Sequence, residues 1–336
     1  MKKHILLTGG AGFIGANLVQ YLVKQYPDTY IVNLDLLTYA GNLDHVKSVA
    51  DAPNYTFVQG DICDRTLIES LFEKYAFQGV LHLAAESHVD NSIASPEAFV
   101  KTNVHGTFTL LDVARKFWLE KPFQVKKGFE NARFLHVSTD EVYGTLGETG
   151  FFTETTPYAP NSPYSASKAS SDMLVRAYFH TYGMNVVTTN CSNNYGPCQH
   201  DEKLIPTIIR KALRGEAIPI YGDGKNVRDW LYVLDHCKGI ALAFHKGLAG
   251  ETYNVGGRNE RNNNQIVQTI CAILDQKRPK SESYSKQITY VQDRPGHDKR
   301  YAIDATKLEQ ELHWKAEETF DTGIVKTVDW YLEKYS

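Results

Sequence analysis

Tyr164 and Lys168 stand at i and i+4 in Tyr164-Ser165-Ala166-Ser167-Lys168, just after Ser162-Pro163. If a helix starts near Ser162-Pro163, that spacing puts both side chains on one face. A free tyrosine, with a pKa of ~10, is a poor base at neutral pH, but a neighbouring ammonium stabilises the phenolate. A phenolate within reach of an alcohol can take its proton while hydride leaves the same carbon. The implied chemistry is alcohol oxidation, although a YxxxK pair by itself also fits an ordinary amphipathic surface helix. A second group lies in His136-Val137-Ser138-Thr139-Asp140-Glu141-Val142-Tyr143-Gly144. Once an alcohol carbon is a ketone, the neighbouring C–H becomes acidic. Loss of a hydroxyl one carbon further on then needs one group to remove that proton and one to protonate the departing oxygen. Asp140 and Glu141, directly after a hydroxyl residue, could divide those tasks. They could also be an acidic pair on the surface at a strand end.

A departing hydride needs an acceptor, and the N-terminal segment offers a place for one. Thr8-Gly9-Gly10-Ala11-Gly12-Phe13-Ile14-Gly15 follows an apolar run and opens a helical pattern. Gly9 and Gly12 let the backbone turn and approach a pyrophosphate, and Gly15 is expected to let the helix pack closely on a sheet. The helix N-terminus adds free N–H groups and a positive dipole end. Asp35 ends the next strand about 20 residues on, where a carboxylate accepts ribose hydroxyls and repels a 2′-phosphate. NAD is therefore favoured over NADP. Asp61-Ile62 would meet the adenine, and Leu83-Ala84-Ala85 offers small side chains where the cofactor passes. Asp61 taken alone would read as a helix cap.

These residues require a scaffold that brings strand ends together. Short apolar runs at His4–Thr8, Tyr30–Leu34, Tyr55–Gln59, Gly79–Leu83, Arg133–Ser138 and Val186–Asn190 read as strands. Between them lie helical patterns, including Leu67–Tyr75, Ala98–Trp118 and Ala166–Tyr182. The alternation implies βαβ units, an α/β doubly wound parallel sheet of Rossmann type, with ligands beyond the carboxyl ends of the strands. The expected organisation is a dinucleotide-binding domain over 1–190, completed by segments near 230–258. A smaller α+β substrate lobe is expected over 191–229 and 259–336, where Gly and Pro recur. With 336 residues, net charge −3 and no long basic tract, a nucleic-acid partner is not expected. No apolar stretch approaches the ~20 residues of a membrane span. Five scattered cysteines without a CxxC pair argue against a disulfide framework or a metal site and for a reducing cytoplasm.

The glycine turn, Asp35, Ser138-Thr139 and YxxxK together resemble the short-chain dehydrogenase/reductase superfamily. Asn193-Asn194-Tyr195-Gly196-Pro197 and the GxxGxxG spacing are similar to its extended, sugar-nucleotide branch. The likeness to the dTDP-glucose 4,6-dehydratases runs along nearly the whole chain. It is carried by Thr38-Tyr39-Ala40-Gly41-Asn42, Ala84-Ala85-Glu86-Ser87-His88-Val89-Asp90, the 138–144 stretch and Thr153-Glu154-Thr155-Thr156-Pro157-Tyr158. Ser192–Pro197, Val227-Arg228-Asp229-Trp230 and Asp293-Arg294-Pro295-Gly296-His297-Asp298 extend it into the second lobe. The resemblance implies NAD as cofactor and dTDP-glucose as substrate. Tyr164 would be the base at C4, Thr139 a partner of the same hydroxyl, and Lys168 a ribose contact that tunes the tyrosine. Glu141 would remove the C5 proton and Asp140 would protonate the C6 oxygen. Thr102 and Asn194 would contact NAD. Ser87, Thr139, Asn193, Lys203, Leu204, Pro219, Tyr221, Arg228, Asn263, Arg294 and His297 would hold the nucleotide sugar, Arg228 and Arg294 as forks for the diphosphate.

The family's pattern of two helices pairing across a four-helix interface implies a homodimer through the helices near 98–118 and 164–182. Burial of their apolar residues within one subunit would also account for them. The chain departs from the family at Asn91, where Arg is usual. It departs again at Cys198-Gln199-His200-Asp201, where an aromatic residue is common. A 4-epimerase, a dehydratase for another nucleotide, and a non-catalytic NAD-binding regulator are the rival readings.

Overall fold

The computed structural model describes residues 3–293 and 299–335. Seven strands form one sheet in the order Thr252–Val255, Val186–Cys191, Arg133–Thr139, Gly79–His82, Lys3–Thr8, Thr29–Asp35, Tyr55–Gln59, and neighbouring strands are parallel throughout. A parallel sheet covered on both faces demands continuous apolar runs. Ile5, Leu6 and Leu7 show why the first strand sits in its interior: none is more than 1% exposed. Each such side chain contributes about 1.5–3 kcal/mol by leaving water. The chain direction across the sheet reverses between Lys3–Thr8 and Gly79–His82. This leaves a crevice between the loops that follow those two strands.

The helix Pro163–Tyr182 begins three residues earlier than the apolar pattern indicates. Ser162 and Ser165 cap each other, Pro163 occupies the first turn, and Gly183 ends the helix in the left-handed region at φ 69°. The long helical pattern after residue 96 is interrupted. Pro96–Phe99 runs into a π-helical stretch, Val100–Gly106, before the α-helix Thr107–Trp118. Asn103 lies in that stretch and binds both the loop after Gly79–His82 and the helix Pro163–Tyr182, as described below.

The second lobe contains a small sheet in the order Glu260–Asn262, Val227–Tyr232, Asn193–Tyr195, and a separate pair, Ile218–Tyr221 with Ile288–Val291. The helices Leu204–Leu213, Asn263–Lys277 and Phe320–Lys334 enclose a core that includes Ile208, Trp230, Ile270, Phe320 and Tyr331. The segment 305–316 packs elsewhere. Ala305, Leu308, Leu312 and Trp314 join Leu7, Leu135 and Val255 in a core of the seven-stranded sheet, although in sequence they lie between segments of the second lobe.

Candidate active site

At Gly9 the backbone has φ 76°, and a Cβ there would stand 2.7 Å from the Ala84 nitrogen. The turn is therefore pressed against the neighbouring strand end and tolerates no side chain. A Cβ on Gly12 would meet only the Gly9 carbonyl, at 3.4 Å, so this residue keeps open space beside the loop. Gly15 differs from expectation. Its Cβ would fall 2.0 Å from the Gly9 carbonyl oxygen, so its small size lets the helix pack on the glycine turn itself and not on the sheet.

Asp35 is pinned by the same loop. One carboxylate oxygen accepts the Ala11 N–H at 2.9 Å and the other accepts the Leu37 N–H at 2.8 Å. Asp61 accepts the Cys63 N–H at 2.9 Å, while Asp64 caps the helix Arg65–Tyr75 through the Leu67 N–H at 3.1 Å. The helix-cap role thus falls to Asp64, which leaves Asp61 on the cleft.

One cleft, enclosing about 1390 Å³ with its open mouth included, is walled by Gly9, Gly12, Phe13, Ile14, Gly15, Asp35, Asp61, Ile62, Leu83, Ala84, Ala85, Thr102, Tyr164 and Lys168, together with Ser87, Thr139 and Lys203. The glycine turn and the Tyr164–Lys168 pair thus open on the same cleft. The set fits a dinucleotide: backbone without Cβ for a pyrophosphate, a fixed carboxylate for a ribose, and a phenol on the same cleft.

Thr139 links the reactive groups. Its hydroxyl hydrogen-bonds the Tyr164 phenol, accepts the Glu141 N–H at 3.3 Å and donates to an Asp140 oxygen at 3.4 Å. Strand Arg133–Thr139 ends there, and Asp140–Tyr143 turns at once into a 3₁₀ helix capped by that hydroxyl. Asp140 is 2% exposed, and its second oxygen has no hydrogen-bond partner among the described residues. Burial, then the charges of Glu141 and Asp229, push its carboxyl well above the usual range, against the pull of Arg228. Both effects favour the protonated form of Asp140, and one of its oxygens is left uncommitted. Glu141, half-buried, faces the same phenol closely enough to act on its charge.

The phenol departs from expectation. Burial, followed by the negative charge of Glu141, drives Tyr164 well above its ordinary pKa, and the Thr139 hydrogen bond opposes this only in part. Lys168 is not among the groups that move it most. Its ammonium donates to the Val137 carbonyl at 2.8 Å, and the charge that supports it comes from Asp172. A phenolate at neutral pH therefore requires further positive charge beside Tyr164, which an oxidised nicotinamide carries.

The other expected residues lie further out. Asn194 is 8% exposed and bonded within the fold, donating to the Ser192 carbonyl at 3.0 Å and meeting His236 Nδ1 at 2.9 Å, so it does not wall the cleft. Arg228 is also turned inward. It is 7% exposed, donates to the Val227 carbonyl at 2.8 Å, and stacks 4.3 Å over the Tyr301 ring beside Asp140. Asn193 and Leu204 open a strand and a helix, Pro219 and Tyr221 lie on Ile218–Tyr221, and Asn263 starts a helix. None of these is a cleft wall, whereas Lys203 is. Arg294 and His297 lie outside the described residues.

Residue types alone did not single out four further groups. Tyr39 and His200 meet edge to face across the cleft, centroids 5.6 Å apart, and both wall it. Asp229 stands near Asp140, and Asp172 near Lys168. For Asp172 a signal was available, the i+8 spacing from Tyr164. For the other three the partner is distant in sequence.

Comparison with known proteins agrees with this geometry. A family described as GDP-mannose 4,6 dehydratase matches residues 6–327. A dTDP-glucose 4,6-dehydratase of Xanthomonas campestris pv. campestris (strain B100) is 59% identical over 329 residues, which is 97% of this chain and 92% of the relative. The chain belongs to the nucleotide-sugar 4,6-dehydratase family. The solved dTDP-glucose 4,6-dehydratase of Streptomyces venezuelae, with NAD and TYD bound, has a TM-score of 0.89 at 44% identity and is covered to 97% by 98% of this chain. UDP-glucose 4-epimerase of Thermotoga maritima, with UDP-glucose, reaches a TM-score of 0.87 at 28% identity, over 99% of this chain and 100% of that one. The 4,6-dehydratase family thus shares its scaffold with an epimerase, and the fold alone does not decide the chemistry.

Proposed function

We propose that this chain is a dTDP-glucose 4,6-dehydratase, converting dTDP-glucose to dTDP-4-keto-6-deoxyglucose. The observation that carries this reading is the Thr139-Asp140-Glu141 turn, which sets a buried, protonated carboxyl and a second acid against the Tyr164 phenol. NAD, held along Gly9–Gly15, Asp35 and Asp61, would accept hydride from the sugar C4 and later supply it to C6. Tyr164 takes the C4 hydroxyl proton, and Thr139 orients that hydroxyl by hydrogen bonding. Glu141 removes the C5 proton, which the C4 ketone has acidified. Asp140 delivers its proton to the C6 oxygen, so that water leaves. Glu141 then returns its proton to C5, and the proton taken by Tyr164 is released to solvent, from which Asp140 is reprotonated.

A 4-epimerase has no step that calls for the two acids. Deuterium at C4 of dTDP-glucose separates the readings. The dehydratase carries the label to C6 in a product lighter by one water, whereas an epimerase returns it to C4. Label that stays at C4, or an unchanged mass, would overturn the assignment. Turnover of dTDP-, UDP- and GDP-glucose side by side tests the nucleotide, for which the 59%-identical relative is the support.

We further infer a homodimer through the helices Thr107–Trp118 and Pro163–Tyr182, on which Phe108 and Met173 are exposed. The five unpaired cysteines support a cytoplasmic location, and no helix among the described residues is long and apolar enough to cross a membrane.

A further inference from the structure

The face of Pro163–Tyr182 that carries Tyr164 and Lys168 bears a third ionisable side chain one turn on, Asp172, which the steps above do not use. Its side chain is 4% exposed. One oxygen accepts the Ser138 hydroxyl at 2.8 Å and the Tyr158 phenol at 3.0 Å. The other lies 3.0 Å from His136 Nε2, out of line for a hydrogen bond. His136 and Ser138 flank Val137, whose carbonyl takes the Lys168 ammonium at 2.8 Å. The reactive helix and the strand that ends at Thr139 are therefore tied twice, once through an ammonium and once through a carboxylate.

The groups around this carboxylate identify its counter-charge. Burial holds His136 and its neighbour His82 well below the usual imidazole range, so both are neutral at pH 7. Burial likewise drives Tyr158, Tyr143 and the Cys191 thiol upward, leaving them protonated. Lys168 is the cation facing Asp172 from its own helix. Desolvation pulls this deeply buried ammonium below its ordinary range, and Asp172 supplies the largest opposing charge. Asp172, raised by burial to about 6, is an anion at neutral pH.

We propose that Asp172 is a positioning residue for the reaction, a buried counter-charge that keeps Lys168 an ammonium and aligns it with Tyr164. The proposal rests on the reading of Lys168 as the ribose contact beside the base. In Asp172→Asn, which keeps the shape and removes the charge, Lys168 loses its proton at lower pH. The alkaline limb of the kcat/KM profile should then move down by roughly one pH unit, and Asp172→Glu should restore it in part. A folded Asp172→Asn enzyme with its alkaline limb unmoved overturns the proposal, even if activity or Tm falls. A second measurement needs neither a variant at 172 nor turnover. In protein labelled with [ε-13C]lysine, the Lys168 resonance is identified by its loss in Lys168→Met. The resonance should remain that of the ammonium across neutral pH, and one that already titrates there overturns the proposal whatever reaction the site performs.

Discussion

An acid that must still hold its proton at neutral pH has to be kept from water and set beside negative charge, and Asp140 meets both conditions. That arrangement opposes folding. From the ordinary value of 3.8 up to the raised one, the folded chain binds more protons at this site than the unfolded chain, so stability falls as pH climbs through that window. Asp140→Asn removes the penalty. It should be more stable than the parent at pH 7, by about 1 kcal/mol or roughly 2–4 °C in Tm, with the difference closing toward pH 4. Calorimetry at the two pH values reads this; equal or lower stability at pH 7 would sink it. The same variant should form product at least ~100-fold more slowly. Glu141→Gln should stop at the ketone stage, seen as cofactor absorbance that rises without loss of water. A product yield that matches the parent would remove Glu141 from the mechanism. The adjacent acids were visible in the sequence because they follow Thr139. The electrostatics of Asp140 also depend on Asp229 and Arg228, some ninety residues away, and no local pattern carries that information.

Among the elements, the π-helical stretch Val100–Gly106 does most to set the relation of cofactor loop to reactive helix. Asn103 accepts the Glu86 N–H at 2.8 Å, donates to the Glu86 carbonyl at 3.0 Å and donates to the Ser167 hydroxyl at 2.8 Å. Its own carbonyl takes the Ser171 hydroxyl at 2.7 Å. Asn103→Ala leaves buried polar groups unpaired and should cost about 2–3 kcal/mol, measurable as a lower urea midpoint. Activity should fall more than stability alone explains, because Tyr164 and Lys168 sit on the helix being released. A variant with normal kcat and lowered midpoint would confine Asn103 to folding. Strand and helix order were legible from apolar periodicity, since both faces of the parallel sheet are buried and its runs are continuous. The π turn was not. One inserted residue leaves the helical pattern of 98–118 almost unchanged, and what shifts the register is a set of side-chain contacts to distant loops. Capping explains the early start at Pro163 in a way that the sequence, with Ser162 and Ser165 three apart, does contain.

At the scale of the whole molecule, the surface near the reactive helix is more apolar than a lone subunit requires. Ile93 is 54% exposed, Val100 57%, Phe108 36% and Met173 51%, and all lie on packed neighbouring segments, Val89–Ala94, Val100–Gly106, Thr107–Trp118 and Pro163–Tyr182. Single exposed apolar residues are common and carry no argument, but a strip of four on adjoining helices is the kind of surface that the proposed homodimer would bury. A twofold partner would bring the same strip against itself, the symmetric solution for one self-complementary face. Sedimentation at micromolar concentration should therefore give twice the chain mass. Val100→Glu together with Met173→Lys should shift it toward the monomer, because each places an unpaired charge in the contact. The other faces of these helices hold Tyr164, Lys168 and the Asn103 contacts, so loss of the partner should also loosen the reactive helix. The dissociated protein should show a lower kcat that rises again with protein concentration. A chain that sediments as a monomer with full activity would place the strip outside any subunit contact.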